Sequence, residues 1–266
     1  MWGGIVSDGA SGADAAIDQA TVLGKAVVIL RAFTAEDADV TLAELGRRTG
    51  LPKATLHRVA NDLVSVGLLD RRDTRYRLGG LVFQLGMMAS AERRLLDAAI
   101  PFMEDLYELT HETVHLGMRA GTEVVYLSKI GGHRQVPTPS RVGGRMPLYC
   151  TAIGKVLLAY APEEVCDRVV EQGLSRRAPR TIVAPGLLRR QLDTVARAGL
   201  AFEHEESAVG IVCVAAPVFD ADDRAVAAVS VTGPATRFRP EAVAEQTRAA
   251  AAGIGELLAR RSLPTA

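Results

Sequence analysis

Residues 41–78 read TLAELGRRTGLPKATLHRVANDLVSVGLLDRRDTRYRL, and this stretch decides the fold of the N-terminal third. Thr41 is a good helix N-cap. Glu44 follows three positions later, the capping-box spacing in which each side chain serves a free backbone N–H of the other position. The helix through LAELGRR stops at Gly50, a residue free to take the left-handed conformation that closes a helix. Pro52 suits the first turn of the next helix, where a missing N–H costs nothing. That helix runs through KATLHRVANDLVSV to Gly67 with Leu56, Val59, Leu63 and Val66 as its buried stripe. Two short helices across a tight TGLP turn form a helix-turn-helix pattern. An earlier helix over Gly24–Phe33 completes the bundle, its apolar residues Ala26, Val27, Ile29, Leu30 and Phe33 recurring at helical spacing.

The chemistry of the second helix lies at its N-terminal end, the end that enters a major groove. Lys53, Ala54, Thr55, His57 and Arg58 are the expected base- and phosphate-reading residues. Beyond Gly67, LLDRRDTRYRL alternates about a polar turn at Arg72–Asp73–Thr74 and reads as a two-stranded wing. Its Arg71, Arg72 and Arg75, with Thr41, are expected on the phosphate backbone. Lysine plus arginine and aspartate plus glutamate both total 31, so the chain is neutral overall. The charge is unevenly placed. Residues 41–78 hold eight basic side chains against four acids (Glu44, Asp62, Asp70, Asp73), a surplus of four. A helical hairpin with a merely solvated charged face is the plain alternative. The appended basic hairpin favours the nucleic-acid reading.

A hydrophobic content of 48% is ample for packed cores and excludes disorder across the whole chain. The Gly-, Ala-, Ser- and Asp-rich residues 1–19 read as a disordered tail. The three cysteines, Cys150, Cys166 and Cys213, are odd in number and form no C-x-x-C, so neither a disulfide framework nor a structural zinc site is expected. No apolar run reaches membrane-spanning length, and no secretory signal is legible. A cytoplasmic protein without a cofactor is the expectation.

Several separate segments, in order, resemble the IclR family of bacterial regulators: residues 42–69, then ETVHLGMRAGTEVVYLSKI (112–130), RMPLYCTAIGKVLLAY (145–160), EESAVGIVCVAAPVFD (205–220) and AVAAVSVTGP (225–234). The resemblance covers about residues 21–262. It implies an α+β chain, with an N-terminal winged helix-turn-helix joined by a linker helix to an antiparallel-sheet effector-binding domain. It further implies homodimers or homotetramers on palindromic operators, a repressor among the possible roles, and no catalysis. The expected division is a DNA-binding domain over 20–80, a linker helix over 81–95 and an effector-binding domain over 96–262.

The sensor half reads as irregularly alternating elements. Strands are expected at Val114–Met118, Val124–Ile130, Leu200–His204, Ile211–Phe219 and Ala225–Val231, and helices at Thr151–Tyr160, Pro185–Ala198 and Glu241–Arg261. Pro101 should kink a helix that continues to about Thr110. Consecutive hairpins argue for an antiparallel sheet, with helices on one side and loops on the other forming a cup. Thr151 can cap the helix that follows it, leaving the N–H groups of Ala152 and Ile153 to attract an anion. The resemblance implies that these two amides hold an effector's acid group, and that Glu203, Cys213, Ser230 and Thr232 fall on pocket positions. Met146 and Ile211 would supply apolar walls. Glu203 stands where the family is familiar with aspartate, and Thr232 where it has serine. The plainer readings are a small core cysteine at 213 and an exposed polar face on the strand carrying Ser230 and Thr232. The expected ligand is a small carboxylate, aromatic acids included.

Two motifs point elsewhere. His111–His115 spells HETVH, a zinc-protease signature, and a zinc-dependent hydrolase is the alternative function. That chemistry needs a helix, which brings the two histidines about 6 Å apart along its axis. Here a helix end meets a strand-like VHLGM, and an extended chain would separate them by about 13 Å. Gly154–Lys155 lacks a phosphate loop's first glycine and final hydroxyl, whose places are held by Tyr149 and Val156. Glu205–Glu206 could form a general-base pair, but a solvated or capping role is the commoner one.

Overall fold

A computed structural model describes residues 18–34, 37–131 and 136–262. Nearly all of the expected tail, residues 1–17, lies outside them. Two compact units divide between Arg93 and Arg94.

The N-terminal unit opens with α1 (Val22–Arg31), capped by Thr21. It continues through β1 (Val40–Thr41), α2 (Leu42–Thr49), α3 (Lys53–Ser65), β2 (Leu69–Arg72), β3 (Arg75–Leu78) and α4 (Gly80–Met87). Ile29, Leu45, Leu56, Val59, Leu63, Leu69 and Tyr76 form its core. Thr41 Oγ1 accepts from the Glu44 N–H at 3.2 Å. The return arm of the capping box is absent, because the Glu44 carboxylate is taken by Arg47 and Arg48. Gly50, at φ 68°, ends α2. Pro52 caps α3 instead of sitting within its first turn. Val66 is 56% exposed and not part of the buried stripe. The reason is that α3 ends at Ser65 and Gly67, at φ 77°, turns the chain, so that Leu69 takes the next core place. The wing gains a third strand: β1 pairs with β3 through Val40 opposite Tyr76 and Thr41 opposite Arg75.

The continuous linker helix expected over 81–95 is interrupted. α4 ends at Met87 and α5 (Ser90–Thr110) begins after Met88–Ala89. Gly86 weakens the last turn of α4, as glycine does in a helix interior. α5 runs through Pro101 without ending.

The C-terminal unit holds β4 (Thr113–Ala120), β5 (Glu123–Ile130), β6 (Arg145–Pro147), α6 (Ala152–Ala159), α7 (Glu163–Glu171), α8 (Pro185–Ala198), β7 (Ala201–His204), β8 (Ile211–Phe219), β9 (Ala225–Pro234) and α9 (Ala244–Ser262). The strands form one antiparallel sheet in the order β6-β5-β4-β9-β8-β7. Side chains alternate across its faces. Val114, Leu116, Val214, Val229 and Val231 face one way, onto α5 and α9. Val124, Tyr126, Cys213, Ala215 and Ala228 face the other, onto α6, α7 and α8. Helices therefore cover both faces, correcting the expected cup of helices on one side and loops on the other. The strands are the reason: β8 and the latter half of β9 are apolar or small on both sides, and neither face is left to water.

Candidate functional site

In the N-terminal unit the charge resolves residue by residue. Arg48 grips Asp37 with two hydrogen bonds of 2.6 and 3.0 Å, holding that carboxyl well below the usual range. Arg47 pairs with Glu44, Arg75 with Asp39, and Arg77 with Asp70 at 2.8 Å. Thr41 spends its oxygen on the α2 cap. Four of the eight cations are thus engaged within the unit, two of them by Asp37 and Asp39, which lie before Thr41. Lys53 and Arg72 have no partner among the described residues. Arg58 makes only a 3.4 Å exposed pair with Asp62, and Arg71 bonds the Asp73 carbonyl in the wing turn at 2.9 Å. Ala54 and His57 are exposed on the first turns of α3, Thr55 is half-buried, and Asn61 lies 3.3 Å from the His57 ring. The uncommitted positive charge lies at the start of α3 and the tip of the wing.

In the C-terminal unit a part-open cavity of about 30 Å³ is lined by all eight residues expected around an effector. Strand register explains the gathering. Glu203 on β7 lies opposite Cys213 on β8, Cys213 opposite Thr232 on β9, and His115 on β4 opposite Ser230. These residues share the face toward α6. Ser230 and Thr232 are buried, so their polar face looks into the protein. Ile211 and Met146 add apolar wall. Thr151 Oγ1 accepts from the Gly154 N–H at 3.0 Å, while the Ala152 and Ile153 amides have no partner among the described residues. Two N–H groups at a helix N-terminus, where the peptide dipoles leave partial positive charge, therefore border the cavity.

A carboxylate shares this space. Glu203 is 2% exposed, and its Oε1 accepts from the N–H of Glu206 (2.8 Å), the N–H of Ser207 (3.0 Å) and the Ser207 hydroxyl (3.2 Å). Burial pushes its carboxyl up to about 7 against those hydrogen bonds, with the neighbouring Glu206 adding to the rise. Behind it, Lys155 of α6, fully buried, donates to Glu206 Oε1 at 2.6 Å, and Glu206 Oε2 has no partner among the described residues. Glu205, read as capping, accepts from the Gly210 N–H at 2.8 Å; Glu206, read likewise, is an internal ion pair. Burial raises Cys150 and Cys213 to about 12, so both are inert thiols at neutral pH.

The cavity also takes in residues outside the expected set: His115, Tyr126, Thr138, Ser140 and Ser207. His115 was legible in principle, since it is in phase with Gly117 on an alternating strand. The 136–140 segment carries no local signal. The HETVH run begins just past the end of α5 and continues into β4, with His111 at φ 52° in the connection. It never forms the helix a zinc site requires. Among the described residues no cluster suited to a metal ion occurs, and no helix is long and apolar enough to cross a membrane.

Residues 87–255 match the family model described as bacterial transcriptional regulator IclR C-terminal, and residues 22–73 match the IclR helix-turn-helix domain. The chain is 33% identical over 231 residues to the HTH-type transcriptional regulator KdgR of Escherichia coli, covering 86% of this chain and 88% of KdgR. It is 30% identical to the HTH-type transcriptional repressor AllR of Klebsiella pneumoniae over 85% of each chain. Among solved structures, an IclR homolog from Microbacterium hydrocarbonoxydans complexed with 4-hydroxybenzoate matches with a TM-score of 0.83 at 32% identity, covering 91% of this chain and all of that one. With a basic helix-turn-helix in one unit, a polar cavity at a helix N-terminus in the other, and both regions matched in order, the chain belongs to the IclR family of DNA-binding bacterial transcriptional regulators.

Proposed function

We propose that the chain is an effector-gated regulator, cytoplasmic and homo-oligomeric, in which residues 20–80 bind an operator, residues 81–95 link, and residues 96–262 sense a small carboxylate. One observation carries the sensing half: the Ala152 and Ile153 amides, without a partner among the described residues, border a part-open cavity lined by the sheet, the 138–140 segment and Ser207. A carboxylate there would satisfy both donors. The free volume favours a compact acid, because about 30 Å³ is far below the few hundred Å³ of a drug-sized ligand site. An aromatic acid, as in the Microbacterium complex, requires the walls to part. A thermal-shift panel of organic acids, short and aromatic, tests this reading. At least one acid should raise the unfolding midpoint, and silence across the panel removes the claim.

For DNA, the reading places Lys53, Thr55, His57 and Arg58 in the major groove and Arg71 and Arg72 on phosphates. In mobility-shift titrations at matched salt, Arg58→Ala should weaken operator binding by about 1–3 kcal/mol and relax specificity at one base. Arg72→Ala should weaken operator and random DNA alike and lower the salt slope by about one ion. Equal affinity of Arg58→Ala and the parent would sink the first assignment. A second copy of the chain would cover α4, none of whose residues is buried and whose Phe83 is 71% exposed. The effector would bind one arrangement of the sensor better, and so bias the spacing of paired α3 helices across two half-sites.

A further inference from the structure

His115 is absorbed neither by metal chemistry nor by the carboxylate reading, yet it is 2% exposed and faces the cavity. Its ring packs on Tyr126 with centroids 5.2 Å apart. Its Nε2 lies 2.7 Å from Ser140 Oγ and its Nδ1 3.4 Å from Thr232 Oγ1. The hydroxyl hydrogens of the neighbours set which nitrogen carries the imidazole hydrogen. Lys129 Nζ, a donor only, donates to Thr138 Oγ1 at 2.7 Å and to the Ser140 carbonyl at 3.0 Å. Ser140 Oγ donates its single hydrogen to Thr138 Oγ1 at 2.8 Å. In this arrangement of hydroxyl hydrogens Ser140 meets His115 with its lone pairs, which places the imidazole hydrogen on Nε2. Burial, with the Lys129 charge adding, pushes the imidazole down to about 3, which leaves it one hydrogen at neutral pH and Nδ1 bare. Thr232 Oγ1 donates its own hydrogen to Cys213 Sγ at 3.1 Å. With the hydrogens so arranged, Nδ1 and Thr232 Oγ1 meet at 3.4 Å as two acceptors, and a donor entering the cavity would serve both.

We infer that His115 Nδ1, with Thr232 Oγ1 beside it, reads a hydroxyl on the effector, so that the pocket prefers a hydroxy acid to the corresponding oxo or unsubstituted acid. The inference rests on the carboxylate reading above. With the acid group on the Ala152 and Ile153 amides, an effector O–H supplies the missing hydrogen. An oxo group would set a third acceptor against the first two. A ligand without either group would leave both acceptors dry and unpaired, the situation in which sites built for a hydroxyl discriminate most strongly.

Calorimetric titration of the full-length protein with matched pairs tests it: lactate against pyruvate, and 4-hydroxybenzoate against benzoate. The hydroxy member of a binding pair should bind at least about tenfold tighter. In His115→Phe, which keeps a ring against Tyr126 but no acceptor, the ratio should fall to about one through loss of the hydroxy member's affinity. His115→Asn, which restores an acceptor, should recover part of it. Equal or tighter binding of pyruvate and benzoate overturns the inference, as does a preference that survives in His115→Phe. If none of the four acids binds, the carboxylate reading falls and this one with it; if acids bind without preference, only the role of His115 falls. The ¹⁵N spectrum of the unliganded wild-type imidazole is a check free of any folding defect. Hydrogen on Nε2 supports the inference, and hydrogen on Nδ1 overturns it.

Discussion

Lys155→Met is expected to destabilise the protein by about 3–5 kcal/mol, read as a lowered urea midpoint at neutral pH. Lys155 is fully buried in α6, an otherwise apolar helix, and its single described partner is Glu206 Oε1 at 2.6 Å. Removing the ammonium leaves a carboxylate inside the protein whose Oε2 already has no partner among the described residues. The penalty comes from that stranded charge more than from the lost attraction. Lys155→Met combined with Glu206→Leu should therefore recover most of the stability, within about 1–2 kcal/mol of the parent. A double variant as unstable as the single one would refute the stranded-charge explanation. Function should not recover with stability. The Glu206 and Ser207 amides orient Glu203, and the Glu206 carbonyl accepts from Thr181 Oγ1 at 2.7 Å. The ion pair sets the position of that loop, so the double variant should fold and still bind the effector poorly.

The Lys155–Glu206 pair marks where reading the chain runs out. Strand alternation in AVAAVSVTGP puts Ser230 and Thr232 on one face, the resemblance adds Cys213, and strand register brings the three together. The period-2 rule needs only neighbouring residues. Lys155 and Glu206 lie 51 positions apart in segments that read locally as a failed phosphate loop and a solvated acidic pair. Only α6 packing against the 203–210 loop joins them. Arg75 and Asp39 are the same case in the DNA-binding unit: a wing arginine legible as a phosphate contact is tied to an acid 36 residues earlier by β1 pairing with β3. β6, three residues long, offered too short a pattern to see. α7 was legible and passed over, since EEVCDRVVE after Pro162 has acids in its first turn and apolar residues at helical spacing. Helix interruption at Met88–Ala89 had a partial signal in Gly86.

Glu203 carries the second large effect, a pH dependence of effector binding. Its carboxyl is held near 7, and it shares the cavity with the amides that would receive an anionic acid. Oε1 is saturated by three donors, so the proton resides on Oε2, which has no partner among the described residues. The charged neighbours offset one another, since Lys155 is already committed to Glu206, and His115 is neutral. Below pH 6 Glu203 is neutral and the effector's anion enters without opposition. Above pH 7 the anion must bring a proton with it. Affinity should therefore be flat between about pH 5 and 6, where the effector is still ionised, and fall by up to about tenfold per pH unit above 7. Glu203→Gln, whose amide oxygen can accept from the same three donors, should flatten the profile and bind more tightly than the parent at pH 8. The folding equilibrium carries the same sign. A carboxyl raised from 4.5 to about 7 on folding binds its proton more tightly in the folded state, so its contribution is most favourable below pH 4.5 and declines until pH 7 is passed. Glu203→Gln should accordingly stabilise the protein at pH 8 and lose that advantage by pH 4. An affinity that rises with pH, or a Gln variant that keeps the slope of the parent, would place the titrating group elsewhere.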